Sequence, residues 1–251
     1  DYFYNLIVKG DMGTSYIFKK PVAELISSRI LVTIKIGIFA SVFATIIGVP
    51  LGILAAVKQN SPFDYTATIF SIIAAAIPGF LVCLVTMLIF AYRLKWLPIQ
   101  GISGWKSYIL PIFASGLAPI AQACRMTRSS MLEVTRQDYI RTARAKGVPE
   151  RTVIWKHTLG NALIPIITVV GMNLGTSMTG SVIAETIFNI PGLGLLMSSS
   201  IAQKDFITTQ GCVLVCAFIV SAMNLITDLF YAFLDPRIKS QYKNTKRFNY
   251  Q

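Results

Sequence analysis

The side chains that could do chemistry are few, and their spacing argues against most reactions. His157 is the only histidine in the chain, so neither a Ser-His-Asp nor a Cys-His arrangement has a second imidazole to draw on. It lies in a basic stretch with no carboxylate close in sequence, which fits a helix-surface or interface residue. The four cysteines, Cys83, Cys124, Cys212 and Cys216, all fall inside apolar runs. Cys212 and Cys216 share a helix face at i, i+4, but no third or fourth ligand accompanies them, and all four read as buried, reduced packing residues. A phosphate-binding G-x-x-x-x-G-K-[ST] loop is missing from the sequence, so any ATP-driven work needs a partner that carries the nucleotide site. Lys35, Glu185 and Asp228 fall near the ends of apolar stretches, where a charge need not sit at a bilayer midplane. Asp228 is expected to pair with a Lys or Arg at the membrane rim, or to cap a helix.

The elements that must hold these residues are membrane helices. Of 251 residues 54% are apolar and only 14% charged, with mean hydropathy +0.61, whereas soluble domains carry about 25% charged residues. The net charge of +12 accordingly points to basic loops on a membrane protein, not to a nucleic-acid surface. A crossing needs about 20 mainly apolar residues. Five stretches meet this or nearly do, at about 30–57, 66–92, 108–131, 162–183 and 207–234. In the first, Lys35 can snorkel, and Gly48, Pro50 and Gly52 predict a bend. Pro78 and Gly79 interrupt the second near its middle, making it a candidate wall of a pathway. The third carries Pro111 and Pro119 and is expected to leave the bilayer as one helix that continues into water. Gly171, Gly175, Ser177, Gly180 and Ser181 give the fourth the small residues that let helices approach closely.

Basic residues set the orientation. The loop of about 132–160, together with the residues just before it, is rich in Arg and Lys, and the tail 236–251 adds five more basic residues and no acid. Both are expected to be cytoplasmic, leaving 1–28 outside. The chain opens on Asp1 without a Met or a leader, and a further helix is expected upstream.

Within that loop the segment Gln137 to Arg151 reads as an Ala- and Arg-rich helix that stops at Gly147, after which Pro149 can open a second short helix running through Trp155. Two short helices at a sharp angle make a knob suited to a groove on a soluble partner. Basic residues lie on its outside, with Thr142, Ala143 and Ala145 small on one side. A solvated basic loop is the plainer alternative.

The chain resembles the permease subunits of type I ABC importers, in particular the first permease of the dipeptide, oligopeptide and nickel uptake systems. The resemblance runs through Gly10-Asp11-Met12-Gly13-Thr14-Ser15, the helix from Arg29 with Gly48-Val49-Pro50-Leu51-Gly52, and Trp96-Leu97-Pro98. It continues through Gln137 to Gly147, Asn161-Ala162-Leu163-Ile164-Pro165, Glu185-Thr186-Ile187-Phe188, Pro191-Gly192-Leu193-Gly194, and Asp228 with Asp235-Pro236-Arg237. The family's coupling pattern, E-A-A-x3-G-x9-I-x-L-P, anchors on Gly147. Thr142 and Ala143 fall at the two Ala positions; Ala143 and Gly147 keep the pattern, while Arg141, His157 and Gly160 depart from it. The resemblance implies an all-α integral membrane fold, five spans here and a sixth upstream, in a bacterial cytoplasmic membrane with the C-terminus inside. It implies ATPase coupling through Tyr139, Arg141, Thr142, Ala143, Ala145, Lys146, Gly147, Val148 and Pro149. The pathway is expected at Pro78, Gly79, Asn173 and Ser177, and an outer gate loop at Glu185, Pro191, Gly192 and Gly194. The implied partners are a second homologous permease, two cytoplasmic ATPases that carry ATP and Mg, an extracytoplasmic binding protein and the lipid bilayer. No metal, cofactor or nucleic acid is expected on this chain. Nickel or a metal chelate as cargo, and a self-sufficient carrier or channel, remain alternatives.

Overall fold

The computed structural model describes residues 10–234 together with Tyr4 and Val8, apart from the side chains of residues 179, 180 and 230–234. The tail 236–251, the Asp235-Pro236-Arg237 motif, the rest of the segment before Gly10 and the Gly180 contact lie outside the described residues. The described residues are almost entirely helical, with one isolated bridge between Thr14 and Pro21.

Helix α1, Val22–Val57, is 36 residues long, and its apolar residues lie all round it, as expected for a helix enclosed by lipid and protein. It runs unbroken through Pro50. Gly48 and Gly52 act as contact points: a Cβ at Gly48 would press on the Ile120 carbonyl, and one at Gly52 on the Cys124 carbonyl and Thr127. Four residues apart, these glycines let α1 lie against the backbone of α4, Ile109–Thr135.

The expected second span is two helices, α2 (Pro62–Ala76) and α3 (Gly79–Arg93), bent by 99° at Ile77–Pro78. Proline disfavours the helical conformation at the residue before it, and here Ile77 is extended (ψ 123°) and the chain turns sharply. Ser61 starts α2 by accepting the Asp64 N–H at 3.3 Å, with Pro62 in the first turn.

Helix α4 accommodates Pro111 and Pro119 and continues into the polar segment as expected, but only as far as Thr135. Gln137 is extended, and a separate α5, Asp138–Ala145, begins there. The second knob helix is not an independent element. From Glu150 it passes through a π-helical stretch, Val153–Thr158, directly into the next apolar helix, forming one α6, Glu150–Ile187. A short apolar α7, Leu193–Ala202, and the long α8, Phe206–Leu234, complete the described fold. Gly171 and Gly175 of α6 lie against Thr227 and Asn224 of α8, so two of the small residues expected to permit close approach do so.

By length and composition, four helices among the described residues can cross a membrane, or five if the bent pair counts as one. Broad apolar surfaces stay exposed, among them Ile69, Phe70, Ile73, Leu84 and Leu88 on the bent pair. Such faces belong against lipid or another membrane subunit.

Candidate functional site

Three groups of residues stand out. The first is the knob. Helix α5 ends in a Schellman turn, in which the Val148 N–H reaches the Ala143 carbonyl at 3.2 Å and the Gly147 N–H the Arg144 carbonyl at 2.9 Å. Gly147 takes φ +77°, and nothing lies within 4 Å of where its Cβ would be, so backbone conformation alone selects glycine here. Ile140, fully buried, pins the inner face. Arg144 closes the turn from outside, donating Nε to Glu150 Oε2 at 3.1 Å and an Nη to Oε1 at 2.6 Å. This leaves Tyr139, Arg141, Thr142, Ala145, Lys146, Gly147 and Pro149 exposed, with Ala143 and Val148 half-buried. His157 sits half-buried in the π-helical stretch below the knob.

Arg128, two turns before the end of α4, does more than add basic charge ahead of the knob. It grips Asp64 with two bonds, Nε to Oδ1 at 2.5 Å and Nη to Oδ2 at 2.7 Å. The Asp64 side chain is 2% exposed and also accepts the Asn60 N–H at 3.0 Å. The α1–α2 turn is therefore fixed to the helix that leads into α5.

The second group is a cavity of about 360 Å³ between α3, α4 and α6. Gly79, Asn173 and Ser177 line it, as do Cys83, Ser115, Gln122 and Thr176. Pro78 makes the break beside it without lining it. The cavity's polar groups are all neutral. The buried hydroxyls of Ser115 and Ser177 have no hydrogen-bond partner, and Asn173 donates to the Pro119 carbonyl at 3.4 Å. Cys83, Cys124 and Cys212 are buried, as expected, but Cys216 is only half-buried. No cluster of three or more His, Cys, Asp or Glu occurs among the described residues.

The third group surrounds Glu185, which lies not in a loop but in the last turn of α6, fully buried. Its Oε2 accepts the Gly194 N–H at 2.6 Å and its Oε1 lies 3.0 Å from the Ser181 hydroxyl. The Leu193 N–H bonds Thr33 of α1 at 2.8 Å. A carboxylate thus sits on the N-terminus of α7, where unpaired N–H groups and the helix dipole favour it. Neither Gly192 nor Gly194 takes a positive φ. Gly192 has φ −104°, and a Cβ on either glycine would run into the Glu185 carboxylate. Asn189, at φ +50°, makes the turn, while Pro191 is exposed.

A related cluster holds the segment 10–21. The Asp205 carboxylate, fully buried, accepts the hydroxyls of Ser15 and Thr208 and the Thr208 N–H. Burial pushes its pKa up, but these hydrogen bonds outweigh burial and hold it below the usual carboxylate value. Asp228 has no ion pair among the described residues, and α8 runs on past it to Leu234, so it does not cap that helix.

Comparisons place this geometry among known proteins. Residues 48–240 match the family described as the binding-protein-dependent transport system inner membrane component. The chain is 43% identical to the dipeptide transport system permease protein DppB of Alkalihalophilus pseudofirmus, over 94% of this chain and 80% of that one. It is 39% identical to the glutathione transport system permease protein GsiC of Salmonella choleraesuis, over 93% and 76%. In fold it resembles the inward-facing methionine transporter MetNI, with TM-score 0.72 over 85% of this chain and 97% of that one, at 17% identity. The chain, a multi-pass membrane protein, therefore belongs to the inner-membrane permease components of binding-protein-dependent ABC importers.

Proposed function

We propose that this permease imports short peptides, as half of a pathway whose other half is a second homologous permease. The observation that carries the reading is its likeness along nearly the whole chain to relatives named for dipeptide and glutathione transport. The neutral polar cavity between α3, α4 and α6 suits such a cargo, since peptide groups need hydrogen-bond partners more than countercharge. Gly79, Asn173 and Ser177, with Pro78 at the bend, belong to the pathway wall. Glu185, Pro191, Gly192 and Gly194 hold the outer gate.

Two cytoplasmic ATPases dock on the exposed residues of the knob, from Tyr139 through Pro149, and carry ATP and Mg. A binding protein delivers cargo to the opposite face. The C-terminus and the knob are cytoplasmic, and the segment 10–21 is outside, in the cytoplasmic membrane of a bacterium. Alternating access follows when ATP-driven closure of the ATPases moves α5, and the Asp64–Arg128 pair passes the motion to the α1–α2 turn.

Gentle purification of the tagged protein from its native membrane tests this. A second permease and two ATPase copies are expected to co-purify, with ATP hydrolysis stimulated by a loaded binding protein and uptake of labelled dipeptide in proteoliposomes. A chain that moves solutes alone, without ATP, refutes the assignment.

A further inference from the structure

Asp228 is the residue the reading above leaves without a task, and its position argues that it has one. Thr227 and Asn224 of α8 lie against Gly171 and Gly175 of α6. Asp228 is therefore roughly 5–12 Å from the middle of the apolar run, depending on which of the two helices is measured. That is within the hydrocarbon half-thickness of about 15 Å. A carboxylate here is exposed, with no ion pair among the described residues. It cannot face lipid as an anion without a large penalty, which makes it a functional group by default.

The surroundings indicate what it meets. Asp228 lines a groove of about 520 Å³ between α6 and α8, with Thr168, Met172, Thr176, Asn224 and Thr227. Each wall carries polar side chains, two threonines beside Met172 on α6 and Asn224, Thr227 and Asp228 on α8, more than a purely lipid-facing surface would hold. Thr176 also lines the neutral cavity between α3, α4 and α6. The two spaces therefore adjoin, and the groove lies toward the α6 end that carries the knob. A solute leaving the first cavity in that direction passes from neutral hydrogen-bonding groups to one negative charge flanked by hydroxyl and amide groups.

We propose that the α6–α8 groove is a second, inward station of the pathway, and that Asp228 accepts an alkylammonium group there, the free α-ammonium of a peptide cargo. Asn224 and Thr168 supply the neutral hydrogen bonds beside the charge. The choice of ammonium group rests on the peptide reading above; the cation-accepting groove rests on geometry alone.

The complete transporter in proteoliposomes tests both parts. Met172→Cys places a reporter in the groove without removing a polar group, and labelling at residue 172 is read by peptide mass mapping. A trimethylammonium-ethyl thiosulfonate should react roughly ten-fold faster than its sulfonate analogue, after correction for their reactivity with a free small thiol. Adding Asp228→Asn should bring that ratio close to one, and Asp228→Glu should keep it. Saturating dipeptide should slow the labelling, whereas the N-acetylated dipeptide should not. An unchanged ratio in Asp228→Asn, or a residue 172 shielded from both reagents in every nucleotide state because the second permease covers the groove, overturns the proposal. Thr168→Cys repeats the measurement should Met172→Cys fail to assemble. Uptake of labelled dipeptide by the wild-type complex in the same vesicles tests the peptide reading separately. Charge-selective labelling without peptide uptake sinks that reading and the choice of ligand, and leaves the cation station standing.

Discussion

Glu185 shows how much a single buried carboxylate can organise. Its two oxygens face different groups, the Gly194 N–H and the Ser181 hydroxyl, and Ser181 can turn to accept because its own proton has the Met178 carbonyl at 3.0 Å. Glutamine can therefore keep both contacts, whereas alanine strands a buried N–H at a cost of about 1–3 kcal/mol and leaves a cavity. Glu185→Ala is expected to loosen the turn before α7 and speed its proteolysis, with Glu185→Gln close to wild type; equal behaviour of the two would rule out the capping role. Asp205 gives a pH signature. Its folded pKa lies below that of the unfolded chain, about 3.9, so its contribution is fully present above that value and lost as pH falls through the folded pKa. Thermal unfolding of wild type between pH 6 and 3 should show this loss below about pH 4, and Asp205→Asn should be less stable at neutral pH with a flatter acid limb. Neither cluster was legible in the sequence beyond its motif. Gly13 and Ser15 of the opening motif meet Ile207 and Asp205 across the fold, and no local pattern encodes a partner 190 residues away.

At the scale of elements, periodicity and breakers carried far, and their failures share a cause. Proline at 78 announced the interruption, but its angle of 99° depends on what the two halves pack against. The polar stretch after Cys124 has strong helix formers throughout, so propensity alone runs α4 into the knob, whereas the structure turns at Arg136 and Gln137. Gly147 was readable because one local fact, a left-handed residue after an amphipathic helix, decides it. That fact yields a test. A β-branched side chain at φ +77° costs about 1–3 kcal/mol, while asparagine tolerates the region. On the proposed docking, Gly147→Val should lower ATP-driven uptake by roughly ten-fold or more, with the purified complex still hydrolysing ATP in an uncoupled way, and Gly147→Asn should restore most of it. If Val and Asn transport alike, the shape of this turn does not carry the coupling.

For the molecule as a whole, composition and the count of apolar runs fixed the class of protein, while the walls of the cavity came together only through tertiary packing. Gly79, Asn173 and Ser177 were marked in the sequence as a break and as small or polar residues on a membrane helix, yet Ser115 and Gln122 of α4 complete the same space and nothing local distinguished them from their neighbours. A cavity of about 360 Å³ with neutral polar walls makes the last prediction sharp, because filling it should affect passage and spare the machinery around it. Ser177 lines that space and its hydroxyl is unpartnered, so Ser177→Leu removes a hydrogen-bonding group and adds bulk without breaking an existing bond. No residue of the knob, and neither Glu185 nor Asp205, is among those that line the cavity. Loaded binding protein should therefore still stimulate ATP hydrolysis to within about two-fold of wild type, while uptake of labelled dipeptide falls roughly ten-fold or more. Ser177→Ala, which deletes the hydroxyl and leaves the volume, separates the two contributions: a loss as large as that of leucine assigns the effect to hydrogen bonding, and near-normal uptake assigns it to space. If Ser177→Leu imports at the wild-type rate, the cargo passes elsewhere, and this cavity is packing between helices and not their shared pathway.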